Sequence, residues 1–348
     1  NLEILGITTN YGPSQLRSFI VHKIVDSYHK KHPEKNPIPV ISGANFQIGT
    51  HHEIFINGNE GKPFLTEEQI EDFLDEKKWE SNSQTDAAEF ICKTINSQPP
   101  KTVKLISIGI MTNIALSFKL HPEIIDKINE IVVMGGGSFI TQQKKPFISN
   151  FSENPSDWEK DVKDFTENLP KNDQSVLKFI SEGNPIHLFP NHNFSADTMA
   201  AVYSIKSNLR IKILCHSVTS RFWLKGRPIQ YLHDRAKDAR KSANFDDIDE
   251  IEAAGLIMEE WFKLRLGQNG QCPHDPLTVH EAAFGSEQSP VYYVRGTLIL
   301  HKWAAYSTFV PNEVGEHFFG VYVNNKDVRH FIDFLGKKIT NNYEKEKS

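Results

Sequence analysis

The sequence predicts one large α/β domain, a mainly parallel sheet with helices on both faces. Short apolar runs rich in strand formers alternate along the chain with segments whose apolar residues recur at helical spacing. Those runs are apolar on both faces, as strands must be when helices cover a sheet from either side. The chain's 348 residues leave room for a sizeable core. Residues 1–336 are assigned to this domain, with a polar insertion at 138–183 and a polar tail at 337–348 that reads as frayed.

Leu2, Ile4, Leu5 and Ile7 form the first strand and lead into the turn-rich stretch Thr8 to Pro13. From Ser14 the spacing of Leu16, Phe19, Ile20, Ile24 and Tyr28 is helical, and Pro33 stops it. Ile38 to Ile41 is the next strand. A helix opens at Thr66, whose partner Gln69 completes a capping box. Asp86 to Ile95 is helical. Val103, Leu105, Ile106 and Ile108 make a strand, Thr112 to Phe118 a helix, and Ile131 to Met134 a strand. Ile186 to Phe189, a helix around Ala196 to Ile205, and Ile211 to Cys215 extend the plan, which places Leu5, Ile106, Val133 and Ile213 in central strands. A strong helix carries Ile251, Leu256, Ile257, Trp261, Phe262 and Leu266 after the acidic lead-in Asn244 to Glu250. Ser138 to Gly183 breaks the rhythm with Pro146, Pro155, Pro170 and many polar residues, and carries a weak helical signal at Val176 to Ile180. It reads as a loop insertion, either a lid or a solvated elaboration.

Composition narrows the function. Lys and Arg number 39 against 44 Asp and Glu, a formal charge of -5, so no basic field exists to attract phosphate backbones or anionic lipid. Nucleic acid and membrane are therefore not expected partners, and no apolar run is long enough to span a bilayer. Cys92, Cys215 and Cys272 are far apart and odd in number, which fits neither a disulfide framework nor a CxxC metal site and points to a reducing, cytoplasmic setting. No GxSxG, HExxH or CxxC pattern is present.

Three clusters could carry chemistry. Gly135, Gly136 and Gly137 follow an apolar strand and either let a ligand approach the backbone or make a tight turn. His274, Asp275 and Pro276 combine a proton donor with an anionic oxygen ligand, although Asp275 also suits a helix N-cap before a first-turn proline. Asn191, His192 and Asn193 precede Asp197 at a strand-to-helix junction, where Asn and Asp ordinarily cap. His51 and His52 read as a surface pair.

In order, these segments resemble the nucleoside hydrolases, the inosine and uridine preferring N-ribohydrolases. Leu2 to Gly12 is similar to a family strand with a Gly-Ile-Thr-Thr opening, and Pro39 to Gly43 and Asn57 to Gly61 to its next landmarks. Gly109 with Thr112, Asn113, Ile114 and Ala115 resembles its Gly-x-x-Thr-Asn-x-Ala turn. Ile131 to Gly136 resembles the strand ending in Met-Gly-Gly, and Asn193, Asp197, Ala200 and Ala201 the Asn-x-x-x-Asp-x-x-Ala-Ala segment. His274 and Asp275 fall at its late His-Asp.

The resemblance implies hydrolysis of the N-glycosidic bond of a small-molecule ribonucleoside to ribose and free base, by water positioned on a calcium ion. Asp275 and the carbonyl of Thr112 would be calcium ligands, and His274 would protonate the departing base. Asn193, Asn191, Asn184 and Met134 would line the ribose. The remaining calcium ligands would come from aspartates of a D-x-D-x-x-x-D-D strand upstream of Asn1. Pro13 stands where the family has Asn, Asn191 where it has Glu, Asn57 where it often has His, and Asn184 is one residue out of register. The alternative is a non-catalytic riboside-binding or interaction domain of the same fold; association into a homo-oligomer is left open.

Overall fold

A computed structural model describes residues 3–49, 61–140, 173–241, 248–264, 270–285, 288–301, 306–323 and 325–346. In chain order its strands are β1 (Ile7–Thr9), β2 (Val40–Ser42), β3 (Val103–Ser107), β4 (Ile128–Met134), β5 (Ile186–Leu188), β6 (Ile211–Leu214), β7 (Leu224–Lys225), β8 (Gly270–Gln271), β9 (Tyr292–Leu300), β10 (Ser307–Pro311) and β11 (His317–Tyr322). Seven of them form one sheet in the order β3-β4-β6-β11-β9-β10-β5. The pairs β3–β4, β4–β6 and β6–β11 are parallel, and β11–β9, β9–β10 and β10–β5 are antiparallel. This is the expected α/β class, with parallel pairing through β3, β4, β6 and β11, while β9, β10 and the sequence-predicted β5 pair antiparallel.

Val133 and Ile213 are cross-strand partners in β4 and β6, as expected of central positions. Ile106 and Leu5 are not central. Among the described residues β3 pairs with β4 alone, and β1, which starts after Leu5, pairs with β2 alone in a separate two-stranded sheet. Ile106 and Ile108 are consequently 41% and 45% exposed on an edge. Side chains fasten the small sheet to the large one. The Asn113 carboxamide donates to Thr9 O at 2.9 Å and accepts from Ala44 N at 3.1 Å, while Asn10 Nδ2 donates to Ile110 O at 2.9 Å.

The main core lies on the large sheet, where Ile131, Val133, Ile211 and Ile213 are fully buried under Phe118, Phe194 and Leu277. A second core joins the helix Ser14–Lys31 to the helices Arg227–Ala239 and Glu250–Leu264 through Leu16, Ala236 and Leu256. The capping box at Thr66 and Gln69 forms as read, because both partners lie within one turn.

The two ends of the expected insertion belong to the fold. Ile140 N donates to His187 O at 2.8 Å and Phe189 N to Ser138 O at 2.9 Å, so the departing chain runs antiparallel to β5. Val176 and Ile180, on the helix Asp173–Ser181, are buried in the main core. The lid expectation falls on 141–172, outside the described residues. At the other end of the chain the helix Asn325–Glu346 continues past Lys337, so this segment is helical and not frayed.

Candidate functional site

The carboxyl ends of β4 and β6 are tied together: Gly135 N donates to Leu214 O at 3.1 Å, and His216 N to Gly136 O at 2.9 Å. The glycine run is a packing device. A Cβ on Gly135 would lie 2.2 Å from the Phe194 ring and one on Gly137 2.2 Å from Phe189 O, and Gly136 has φ +82°. The run packs closely against Phe194 and the Phe189 backbone, and the chain makes no tight turn at 135–137.

Asn193 reaches over this end of the sheet. Its Nδ2 donates to Met134 O at 2.9 Å, approaches Met134 Sδ at 3.4 Å, and lies 3.5 Å from Ile108 O beyond β3. Asn193 is thereby fixed to the last residue of β4. Asn191 caps the short helix His192–Ser195 by accepting from Asn193 N at 3.0 Å. Asp197 caps the helix Thr198–Ile205 through Ala200 N at 3.0 Å, and its other oxygen accepts from Thr112 Oγ1 at 2.6 Å and Ile48 N at 3.0 Å. This buried carboxylate cross-links three segments, and Thr112 enters the cluster as one of its donors. Asn184 sits apart: its carboxamide donates to Phe179 O at 3.0 Å and closes the turn after the helix Asp173–Ser181.

His274 and Asp275 open the helix His274–Phe284. Its cap residue is Pro273 with no side-chain cap, so Asp275 lies inside the first turn and the N-cap expectation is corrected. The difference is physical: Pro273 leads straight into helical backbone, leaving the Asp275 carboxylate clear of the first-turn amides. Asp275 has no hydrogen-bond or ion-pair partner among the described residues, and burial pushes its carboxyl up to about 6. His274 is held from two directions. Its Nδ1 lies 2.6 Å from Thr219 Oγ1, and its ring stacks on His216 with centroids 5.4 Å apart and planes at 26°. His216 Nδ1 in turn lies 3.1 Å from Ser138 Oγ.

Tyr11, with φ +72°, packs its ring edge-on to His192 at 5.6 Å, under the Arg17 guanidinium. Burial, and then Arg17, push the His192 imidazole below its usual range. Sequence reasoning passed over His216, Thr219 and Ser138. The readable signal was a histidine placed directly after the strand ending at Leu214, at the end of the sheet where ligands collect.

The described residues do not by themselves make a calcium site. Among them no group of three or more His, Cys, Asp or Glu side chains could hold a metal ion. Calcium takes roughly six to eight oxygens, whereas Asp275 and the Thr112 carbonyl supply two donor groups. His51, His52 and Asn57 lie outside the described residues. No described helix is long and apolar enough to cross a membrane.

Comparison with known proteins agrees with this frame. A plant nucleoside hydrolase superposes with a TM-score of 0.61 at 16% identity, covering 97% of this chain and 91% of that one. A purine-preferring ribonucleoside hydrolase from Gardnerella vaginalis gives 0.61 at 18% identity, covering 97% and 90%. These show the fold. In sequence, a probable uridine nucleosidase of rice is 30% identical over 151 residues, 42% of either chain. The inosine-uridine preferring nucleoside hydrolase of Leishmania major is 45% identical over 51 residues, 15% of this chain and 16% of that protein. The matched stretches thus span under half the length of these curated relatives. The family described as inosine-uridine preferring nucleoside hydrolase matches residues 1–314, and with the fold and the ordered motifs in place, this chain belongs to that family.

Proposed function

We propose that this protein hydrolyses the N-glycosidic bond of ribonucleosides, with His274 on the base side and Asp275 and Asn193 on the ribose side. One observation carries the reading: Asn193 closed on Met134, His274 held by Thr219, and an Asp275 without a partner among the described residues occur together with the family's ordered motifs. The bond breaks through an electron-poor ribosyl cation, which a nearby carboxylate stabilises. Above about pH 6 Asp275 is ionised, and no described side chain competes for its charge. The Asn193 carboxamide, oriented by Met134 O, holds its carbonyl oxygen in a defined direction for a ribose hydroxyl. His274, its Nδ1 facing Thr219, is placed to protonate a departing base. Calcium is part of this proposal: it would take Asp275 and the Thr112 carbonyl and draw the rest of its roughly six to eight oxygens from residues outside those described, supplying an acidified water when bound. The proposed substrate is a free nucleoside.

The test is incubation with inosine and with uridine, with and without added calcium, reading free base by chromatography. Release of base that disappears in Asp275→Asn is the expected result. The small carboxylate set favours the second reading, a non-catalytic riboside-binding domain. It takes precedence if equilibrium dialysis shows riboside bound and no base is ever released.

A further inference from the structure

His216 has no role in the mechanism above, and its surroundings are unusual for a surface residue. It begins the single turn His216–Thr219 directly after β6, between the buried Cys215 and the buried Val218. Its backbone is pinned by the 2.9 Å bond to Gly136 O, so the Cα cannot drift from the end of β4. The side chain itself is exposed, hence no core requires a ring here. The ring stacks, offset, on His274, with centroids 5.4 Å apart and planes at 26°. Ser138 Oγ lies 3.1 Å from its Nδ1, and Phe139 N, bonded to Ser217 Oγ at 2.8 Å, holds the Ser138 segment against the same turn.

A hydrogen bond at one ring nitrogen positions an imidazole without fixing its plane, because the ring can still swivel about that contact. Thr219 gives His274 such a bond. A second ring laid on its face removes the swivel. We propose that His216 is a positioning residue for His274: by stacking on it, His216 sets the plane in which His274 meets the leaving base. This inference rests on the hydrolase reading of His274 and adds to it a residue on a different element.

The signature is a dependence on the leaving group. A purine base departs readily only when protonated, and proton transfer is sensitive to placement, whereas p-nitrophenolate leaves as a stable anion. His216→Ala should lower kcat for inosine by about tenfold or more with KM changed by less than about threefold. The same variant should hydrolyse p-nitrophenyl riboside within about twofold of the wild-type rate. His216→Phe, which keeps a stacking ring, should restore most of the inosine rate. Equal losses on both substrates, or no loss on inosine, would overturn the proposal. The Cε1–H resonance of His274 gives a readout independent of turnover: it should move in His216→Ala and return toward its original position in His216→Phe, and an unmoved resonance overturns the proposal. If the wild-type protein releases no base while the resonance behaves as stated, the hydrolase reading falls and the positioning of His274 stands.

Discussion

The helix His274–Phe284 carries a buried acid, Glu281, and a half-buried one, Asp275, and they are treated in opposite ways. Glu281, near its C-terminal end, accepts from Tyr293 OH at 2.9 Å and from Ser289 Oγ at 3.0 Å, with Lys212 close enough to attract it. Around it Lys104 binds Glu130 at 2.8 Å and donates to Ala282 O at 3.0 Å, and Arg210 approaches Glu130 at 3.3 Å. Burial raises the carboxyl of Glu281, and these donors pull it back. Asp275, at the other end, is raised by burial with nothing opposing it. A buried acid with a full set of donors fastens a helix to its sheet. One without donors keeps its binding capacity for whatever enters the site.

The largest effect expected from this contrast is at the satisfied acid. Glu281→Ala strips the acceptor from the part-buried hydroxyls of Tyr293 and Ser289 and removes a carboxylate that attracts Lys212. It should lower the unfolding free energy by about 3 kcal/mol in urea denaturation. A loss below about 0.5 kcal/mol would mean the network is ornamental.

Asp275→Asn should act the other way. The folded state holds the Asp275 proton more tightly than the unfolded chain, whose carboxyl sits near 3.8. Wild-type stability should therefore fall as pH rises from about 4 to about 6 and then level off, because folded Asp275 retains a proton that the unfolded chain has released. In the asparagine variant this component of the fall is absent. The variant should gain on the wild type across that window by on the order of 2 kcal/mol, and be the more stable at pH 7. A constant difference between the two proteins from pH 4 to pH 7 would show that Asp275 is solvated after all.

Thr112→Val tests whether Asp197 resembles the satisfied acid. Loss of the 2.6 Å donor leaves two backbone amides on Asp197, and the expected cost is about 1.5 kcal/mol by the same denaturation. Smallest is Lys178→Ala, which removes a 3.9 Å surface pair with Glu182 and should change stability by less than about 0.5 kcal/mol.

Legibility in the sequence followed the range of the interactions. The strands β4 and β6 were readable because apolar side chains on both faces leave a continuous signal in a few residues. The Thr66 capping box and the caps at Asn191 and Asp197 were readable because donor and acceptor are two or three residues apart. β9, β10 and β11 were not read. β10 and β11 pair in part with β5 and β6, which are far away in sequence, Gly296 and Pro311 interrupt the pattern, and much of β9 is only half-buried. The reading of Asp275 as an N-cap failed for a related reason: residue types suggest a cap, and only the backbone entering at Pro273 decides that the helix starts two residues earlier.

By itself the sequence determined the α/β class, the order of the motifs and which residue types stand at the strand ends, since periodicity and local hydrogen bonding need no distant partner. The tertiary structure decided what those residues face. Asn193 closes on Met134, 59 positions away, and Asp197 gathers Thr112 from 85 positions away. His274 lies against His216 and Thr219, the latter 55 positions away, while Asp275 beside it has no partner among the described residues. Whether a buried polar group is satisfied depends on chain segments that local sequence cannot bring together, so that distinction, on which the proposed chemistry rests, exists only once the chain has folded.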